Sequence, residues 1–313
     1  MIMDFRYENH MDMRGLRYFA AVAESGHMTR AAEQLGIQQP PLSQQIKLLE
    51  RELGVALFRR HPRGVTLTDA GKQLQVEAVR MLQNMDALRT RMARVAQGVE
   101  GVVSVGFTSS AAAHRFVPEA LRAYRRSFPQ VELQLQEANA AELTDALKAG
   151  RLHCGLLRVP VARPASLVFE TLLREPVMVA MPSDHAFART RRGTSRRALS
   201  LAQLCREDLI LVRRPGAPGL YADLLALCHA KGLKPRIVAE VERMMTNLNL
   251  VAAGAGLTVV PASMVGAHPH AITYCPLAAS ASLDAPLTLV SREDEDSQPA
   301  RHFAALLRKL AAR

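Results

Sequence analysis

The chain is 313 residues long, 49% hydrophobic and 22% charged, which excludes a disordered or fibrous protein and allows two or three domains with cores. No apolar run approaches a membrane span, and the opening "MIMDFRYENH" carries acids where a secretory leader needs an apolar block, so a cytoplasmic protein is expected. The net charge of +11 suggests an anionic partner, but residues 1–100 hold 14 Lys/Arg against 11 Asp/Glu and residues 101–313 hold 26 against 18, so charge alone does not locate one.

The first helix is expected in "MRGLRYFAAVAESG", where Leu16, Phe19, Ala20 and Ala23 recur at helical spacing and Ser25-Gly26 is a stop. A second short helix, "MTRAAEQLG", shows an apolar face of Ala31, Ala32 and Leu35 and closes at Gly36. Then "QQPPLSQQIKLLERELG" begins abruptly at two prolines. Proline lacks an N–H and has a fixed φ, so it fits the first turn of a helix. Leu42, Ile46, Leu49 and Leu53 form one stripe. Pro40, Gln44, Lys47 and Arg51 lie opposite, with Ser43 on the flank. Helix, tight turn and helix in this pattern is a helix-turn-helix, whose second helix enters the major groove of DNA and whose first residues meet base edges. Gln bonds adenine bidentately and Ser contacts several bases.

"VALF" and "VTL" read as strands around a turn with Pro62 and Gly64, crowded by Arg59, Arg60 and Arg63. Beside a helix-turn-helix this hairpin is a wing for phosphate or minor-groove contact. A long helix follows, with Thr68 as N-cap and Asp69 in its first turn. Leu74, Ala78, Met81, Met85, Leu88, Met92 and Val95 alternate four and three apart, a heptad seam that predicts pairing of two such helices. Gly98 and Gly101 bracket an expected hinge.

From residue 101 strands and helices alternate. "VVSVGF", "FVPEALRAYRRSFP", "VELQLQ", "NAAELTDALKAG" and "LHCGLL" make a βαβαβ unit with a parallel sheet, in which Asn139 and Glu142 form a capping box. The alternation restarts after "LREPVMVAMP" and closes on the helix "ARHFAALLRKLAAR". Two α/β halves enclose a cleft, and ligands bind outside the carboxyl ends of such strands. Cys154, Cys205, Cys228 and Cys275 form no C-x-x-C, so isolated buried thiols are expected; a redox pair of Cys205 with Cys228 is the alternative. The cluster Arg189, Arg191, Arg192, Arg196 and Arg197 reads as a solvated loop, with phosphate contact as the alternative. No H-E-x-x-H, G-x-S-x-G, Walker loop or dinucleotide fingerprint is present, and "GAG" at 254–256 is a turn, so no enzyme, catalytic residue, metal or cofactor is expected. A ligand-binding protein of the periplasmic type is the competing reading, disfavoured by the N-terminal motifs.

The ordered run of proline-rich helix entry, S-x-x-I-x-x-L-E-x-x-L-G, "LFRR" and "LTDAG" resembles the LysR-type transcriptional regulators, and the likeness extends from about Met11 to the C-terminus. "EPVMVAMPSDH", "PGLYADLLALC" and "LVAAGAGLTVVPASM" look like that family's inducer domain, in the branch governing degradation of aromatic compounds. The resemblance implies a winged helix-turn-helix at 11–68, a linker and dimerisation helix at 69–98, and an inducer-binding domain like periplasmic binding proteins at 99–313. That domain divides into subdomain I, about 101–170 and 271–313, and subdomain II, about 171–270. It further implies a homodimer or homotetramer, promoter DNA and RNA polymerase as partners, and a small organic inducer, often a carboxylate. The candidate DNA-contacting residues are Thr29, Arg30, Gln39, Pro40, Pro41, Ser43, Gln44, Lys47, Arg51, Arg60 and Arg63. Gln44 stands where many relatives have Arg, and His27 where a Ser cap is common. The candidate ligand residues are Ser109, Ser110, Asn139, Arg158 and Thr246, with the "RPGAPG" turn as a further one. Ala140 replaces a Thr that often contacts the ligand. Arg158 reads as a surface arginine or as a group facing the cleft. Met1, Met3, Met11 and Met13 are the candidate initiators.

Overall fold

The computed structural model describes residues 12–158, 163–189, 198–212, 219–281 and 283–313. Met1, Met3, Met11, Arg191, Arg192, Arg196, Arg197 and most of the "RPGAPG" turn lie outside the described residues. The chain divides into two compact units, Met1–Ala93 and Arg94–Arg313.

In the first unit α1 (Met13–Ser25) starts where Asp12 Oδ1 accepts a hydrogen bond from Gly15 N at 2.6 Å, and stops at Gly26 in a left-handed conformation. Next come α2 (Met28–Gln34) and α3 (Gln39–Leu53), with Pro40 and Pro41 in the first turn of α3. Leu16, Phe19, Val22, Ala31, Leu42, Ile46 and Leu49 pack together into the core. Each large member contributes on the order of 1.5–3 kcal/mol by leaving water. Leu53 departs from the expected stripe: at the end of α3 it is 37% exposed.

The hairpin is β1 (Phe58–His61) against β2 (Gly64–Leu67), antiparallel. The expected strand over "VALF" is shorter, because Glu50 Oε1 accepts the amides of Leu57 and Phe58 at 2.8 and 3.2 Å. Val55 and Ala56 are therefore exposed connecting chain. Gly64 has φ 139°, and a Cβ there would lie 2.4 Å from the carbonyl of Gly26, so the hairpin sits against the turn after α1. Thr68 caps α4 (Asp69–Ala96), its Oγ1 accepting from Gly71 N at 3.0 Å. Along the seam Ala78 is buried, whereas Met81, Leu88, Met92 and Val95 are exposed apolar side chains.

The second unit opens with β3 (Glu100–Phe107), α5 (Ser109–Ala112), α6 (Phe116–Ser127), β4 (Gln130–Glu137), α7 (Ala140–Lys148) and β5 (Cys154–Leu157). Strands β4, β3 and β5 are parallel neighbours, as the βαβαβ pattern predicts. The chain continues through β6 (Leu167–Pro182), α8 (Leu201–Leu204), β7 (Asp208–Val212), α9 (Gly219–Ala230), β8 (Arg236–Val241), α10 (Met244–Ala252) and β9 (Thr258–Pro261). It ends with β10 (Ile272–Pro276), β11 (Asp284–Arg292) and α11 (Gln298–Ala311). The 16-residue β6 contributes side chains to three apolar clusters in turn. Its first part pairs with β11 and its second with β9 and β10, the changeover falling at Glu175 to Val177.

The two expected hinge glycines are held by structure. Gly101 lies within β3 opposite Val131. Gly98 has φ 67°, and a Cβ there would lie 2.5 Å from Gln298 Cβ at the start of α11. Close approach, rather than freedom of motion, is what the Gly98 position requires.

Candidate functional site

On α3, Pro40, Gln44, Lys47 and Arg51 are exposed and follow one another at steps of four, three and four, so they share one face. Pro41 is also exposed. Gln39 Nε2 donates to Ser43 Oγ at 2.7 Å, holding both side chains in one arrangement at the helix start. Thr29 and Arg30 are exposed in the first turn of α2. His27 caps that helix without a side-chain bond. His61 pairs with Gly64, which leaves Pro62 and Arg63 as the hairpin turn, and Arg60 and Arg63 are exposed. The face thus combines exposed uncharged hydrogen-bonding groups with cations, which suits base edges and phosphates. Glu50 went unnoticed in sequence because a glutamate in an E-x-x-L run reads as ordinary helix surface.

In the second unit a cavity of about 420 Å³ opens at the carboxyl ends of β3, β4, β7 and β8. That volume suits a small organic ligand. One wall is Thr108, Ser109, Ser110, Glu137, Asn139, Ala140 and Arg158; the other includes Val212, Leu220, Tyr221, Glu242, Arg243, Met244 and Pro261. Thr108 caps α5, its Oγ1 accepting from Ala111 N at 3.3 Å, so Ser109 and Ser110 are not consumed as the cap. Asn139 Oδ1 accepts from Glu142 N at 3.0 Å within a complete capping box. Thr246 is the third residue of α10 and exposed, and at this helix start it is Arg243 and Met244 that line the cavity.

Arg158 is neither a surface arginine nor a free one. It is 7% exposed and ion-paired with Glu175, itself 9% exposed. Its Nε and Nη2 donate to the Ser110 carbonyl at 3.1 and 2.9 Å. Nη2 also donates to Ser263 Oγ at 2.9 Å, and Nη1 to the Ala285 carbonyl at 3.4 Å. Ser263 N and Oγ in turn donate to the Glu175 carboxylate at 2.6 and 2.9 Å. Burial pushes the Arg158 pKa down, and the Glu175 carboxylate opposes that shift. The group therefore joins the end of β5, α5, β6, β11 and the turn after β9 at the back of the cavity.

Below the opposite wall, Tyr221 donates from its hydroxyl to the Val259 carbonyl at 2.7 Å. Asn247 Nδ2 donates to the Tyr221 hydroxyl at 3.1 Å and to Thr258 Oγ1 at 2.7 Å. Burial raises the Tyr221 pKa, so the phenol is neutral. Neither Glu175 nor Tyr221 was singled out from sequence: each sits in an apolar run that signals a core element and gives no sign of a polar network.

Residues 13–72 match the model of bacterial regulatory helix-turn-helix proteins of the lysR family, and residues 96–312 match the LysR substrate binding domain. The chain belongs to the LysR family of DNA-binding transcriptional regulators. It is 38% identical over 294 residues to the uncharacterized HTH-type transcriptional regulator YnfL of Escherichia coli K12, covering 94% of this chain and 97% of that one. It is 36% identical over 293 residues to the HTH-type transcriptional regulator BudR of Raoultella terrigena, covering 94% and 99%. Among solved structures, full-length CbnR complexed with target DNA superposes with a TM-score of 0.79 at 29% identity, covering 96% of this chain and all of that one. These relatives are regulators rather than enzymes. For a LysR regulator the substrate binding domain implies a small-molecule effector, and no described helix is long and apolar enough to cross a membrane.

Proposed function

We propose that this LysR regulator acts in the cytoplasm on promoter DNA under control of an aromatic or other carboxylate inducer bound in the 420 Å³ cavity. The observation that carries this reading is that the cavity brings two serines and a guanidinium together with apolar side chains. Ser109, Ser110 and Arg158 stand on one wall beside Glu137 and Glu142, and Leu220, Tyr221 and Met244 on the other beside Glu242 and Arg243. Arg158 lines this wall while its Nη1 donates to the Ala285 carbonyl. An apolar body with one anionic end fits that arrangement.

In the same reading Gln39, Ser43, Gln44, Lys47 and Arg51 meet the major groove, with Thr29, Arg30, Pro40 and Pro41 around them. Arg60 and Arg63 on the wing contact phosphate or the minor groove. The exposed Met81, Leu88, Met92 and Val95 pair α4 with a second copy, and dimers associate into a tetramer that contacts RNA polymerase. Inducer changes the angle between paired DNA-binding heads, which requires unequal affinity for the two arrangements.

A thermal-shift screen of benzoate-type acids, dicarboxylates and their neutral amides tests the ligand class. Acids are expected to raise the melting temperature in a concentration-dependent way, and Ser110→Leu is expected to abolish the rise. Equal stabilisation by the neutral amides would refute the carboxylate assignment. The chain has no Trp, so calorimetry rather than intrinsic Trp fluorescence gives the affinity.

A further inference from the structure

The four cysteines are all buried, but two of them meet. Cys205 Sγ and Cys228 Sγ are 3.4 Å apart. Cys205 is the C-cap of α8 and is 8% exposed; Cys228 is on α9 and 1% exposed. We propose that Cys205 and Cys228 form a reversible intramolecular disulfide, a modification site that couples thiol–disulfide balance to the cavity.

The geometry supplies both halves of the argument. A disulfide needs the sulfurs at about 2.0 Å, so closure requires on the order of 1.4 Å of approach from the 3.4 Å separation. Leu220, Leu224 and Cys228 lie four residues apart on the buried stripe of α9. Leu220 and Tyr221, at the other end of the stripe, line the cavity. The rod from Leu220 to Cys228 spans about 12 Å at 1.5 Å per residue, so a pull at Cys228 is delivered at the cavity wall. The linkage is reciprocal: whatever oxidation does to effector affinity, effector does to the ease of oxidation.

The chemistry balances with a low-molecular-weight disulfide as oxidant. The Cys205 thiol, nearer the surface, loses its proton and attacks one sulfur of that disulfide, expelling a thiolate that is protonated in water. Cys228 then loses its proton and attacks the Cys205 sulfur, expelling the second small thiol. The protein gives up two hydrogens and two electrons, and the oxidant becomes two thiols. Burial, with the neighbouring Cys205 thiol, pushes the Cys228 pKa up. The second step is therefore slow in the absence of a pre-positioned target, and 3.4 Å is such a position.

The test equilibrates the reduced full-length chain with glutathione and glutathione disulfide in varied ratio, then quenches, alkylates and maps peptides by mass. The expected product is a Cys205–Cys228 linked peptide, lighter by two hydrogens and reversed by dithiothreitol, with Cys154 and Cys275 alkylated. In the oxidised chain hydrogen exchange across Gly219–Ala230 is expected to slow by about tenfold. Cys205→Ser and Cys228→Ala should each abolish the linkage, and Cys275→Ala should not. Persistent glutathione adducts without the linked peptide, linkage through Cys154 or Cys275, or unchanged exchange in α9 after linkage would each overturn the proposal.

Discussion

Arg158, directly after β5, and Glu175, in β6, form a buried ion pair beside the shift of β6 from one sheet neighbour to others. Two buried charges are costly to bring out of water, and the hydroxyl and amide of Ser263 offset part of that cost. Removing one member leaves the other uncompensated. Arg158→Ala is expected to destabilise the second unit by about 3–5 kcal/mol in urea melts, and Glu175→Leu by a similar amount. The double change Arg158→Met with Glu175→Leu should recover most of the loss. Additive losses would show that the two residues do not act as a pair.

Glu50 fastens the wing to α3 through the amides of Leu57 and Phe58. Glu50→Ala leaves both donors without that carboxylate, and the cost is about 1–3 kcal/mol. DNA affinity should fall as well, because the wing arginines lose their fixed offset from the groove helix. Mobility shift with Glu50→Ala, compared with Arg63→Ala, checks this. Intact DNA affinity in a folded Glu50→Ala chain would show that wing placement does not depend on Glu50.

His114 follows α5 and is half-buried. Burial lowers its pKa below the ordinary 6.5; Arg158 and Arg115 push the same way, while Glu175 and Glu119 oppose. The unfolded chain therefore binds the proton more readily than the folded one. The contribution of His114 to stability is complete above the ordinary histidine value and declines as pH falls through and below it. Melting temperature should drop between pH 7 and 5, and His114→Gln should flatten part of that slope. An unchanged slope in the variant would assign the pH dependence to other groups.

The helix-turn-helix was legible because its signals are local. Leu42, Ile46 and Leu49 repeat at helical spacing, and Gly26 and Gly54 take the left-handed conformation that ends α1 and α3. The capping box of Asn139 and Glu142 spans three residues and was equally plain. The Arg158 network was not legible, since its partners come from separate elements, one of them 127 residues away. A lone arginine after an apolar strand carries no mark of burial. Leu53 misled for the opposite reason: it keeps the helical spacing of the stripe, but the helix ends there and the core does not reach it. The proximity of Cys205 and Cys228 depends on how α8 and α9 pack, which spacing alone does not specify.

Gln44 is exposed on the face of α3 that is proposed to enter the major groove. A bidentate amide favours adenine and a bidentate guanidinium favours guanine, each worth about 1–3 kcal/mol of discrimination. Gln44→Arg is expected to move operator preference from A·T toward G·C at one position in each half-site. Selection from a randomised half-site library reads this directly. An unaltered preference would remove Gln44 from the base-reading set.

A small effector in the cavity is proposed to alter how the DNA-binding heads engage the promoter. This is tested most directly by footprinting the full chain on the DNA upstream of its own gene, with and without a compound shown by calorimetry to bind. The expected result is a changed footprint, shortened or shifted at one half-site, in the wild type and not in the Ser110→Leu chain. A footprint that the bound compound leaves unchanged would contradict it.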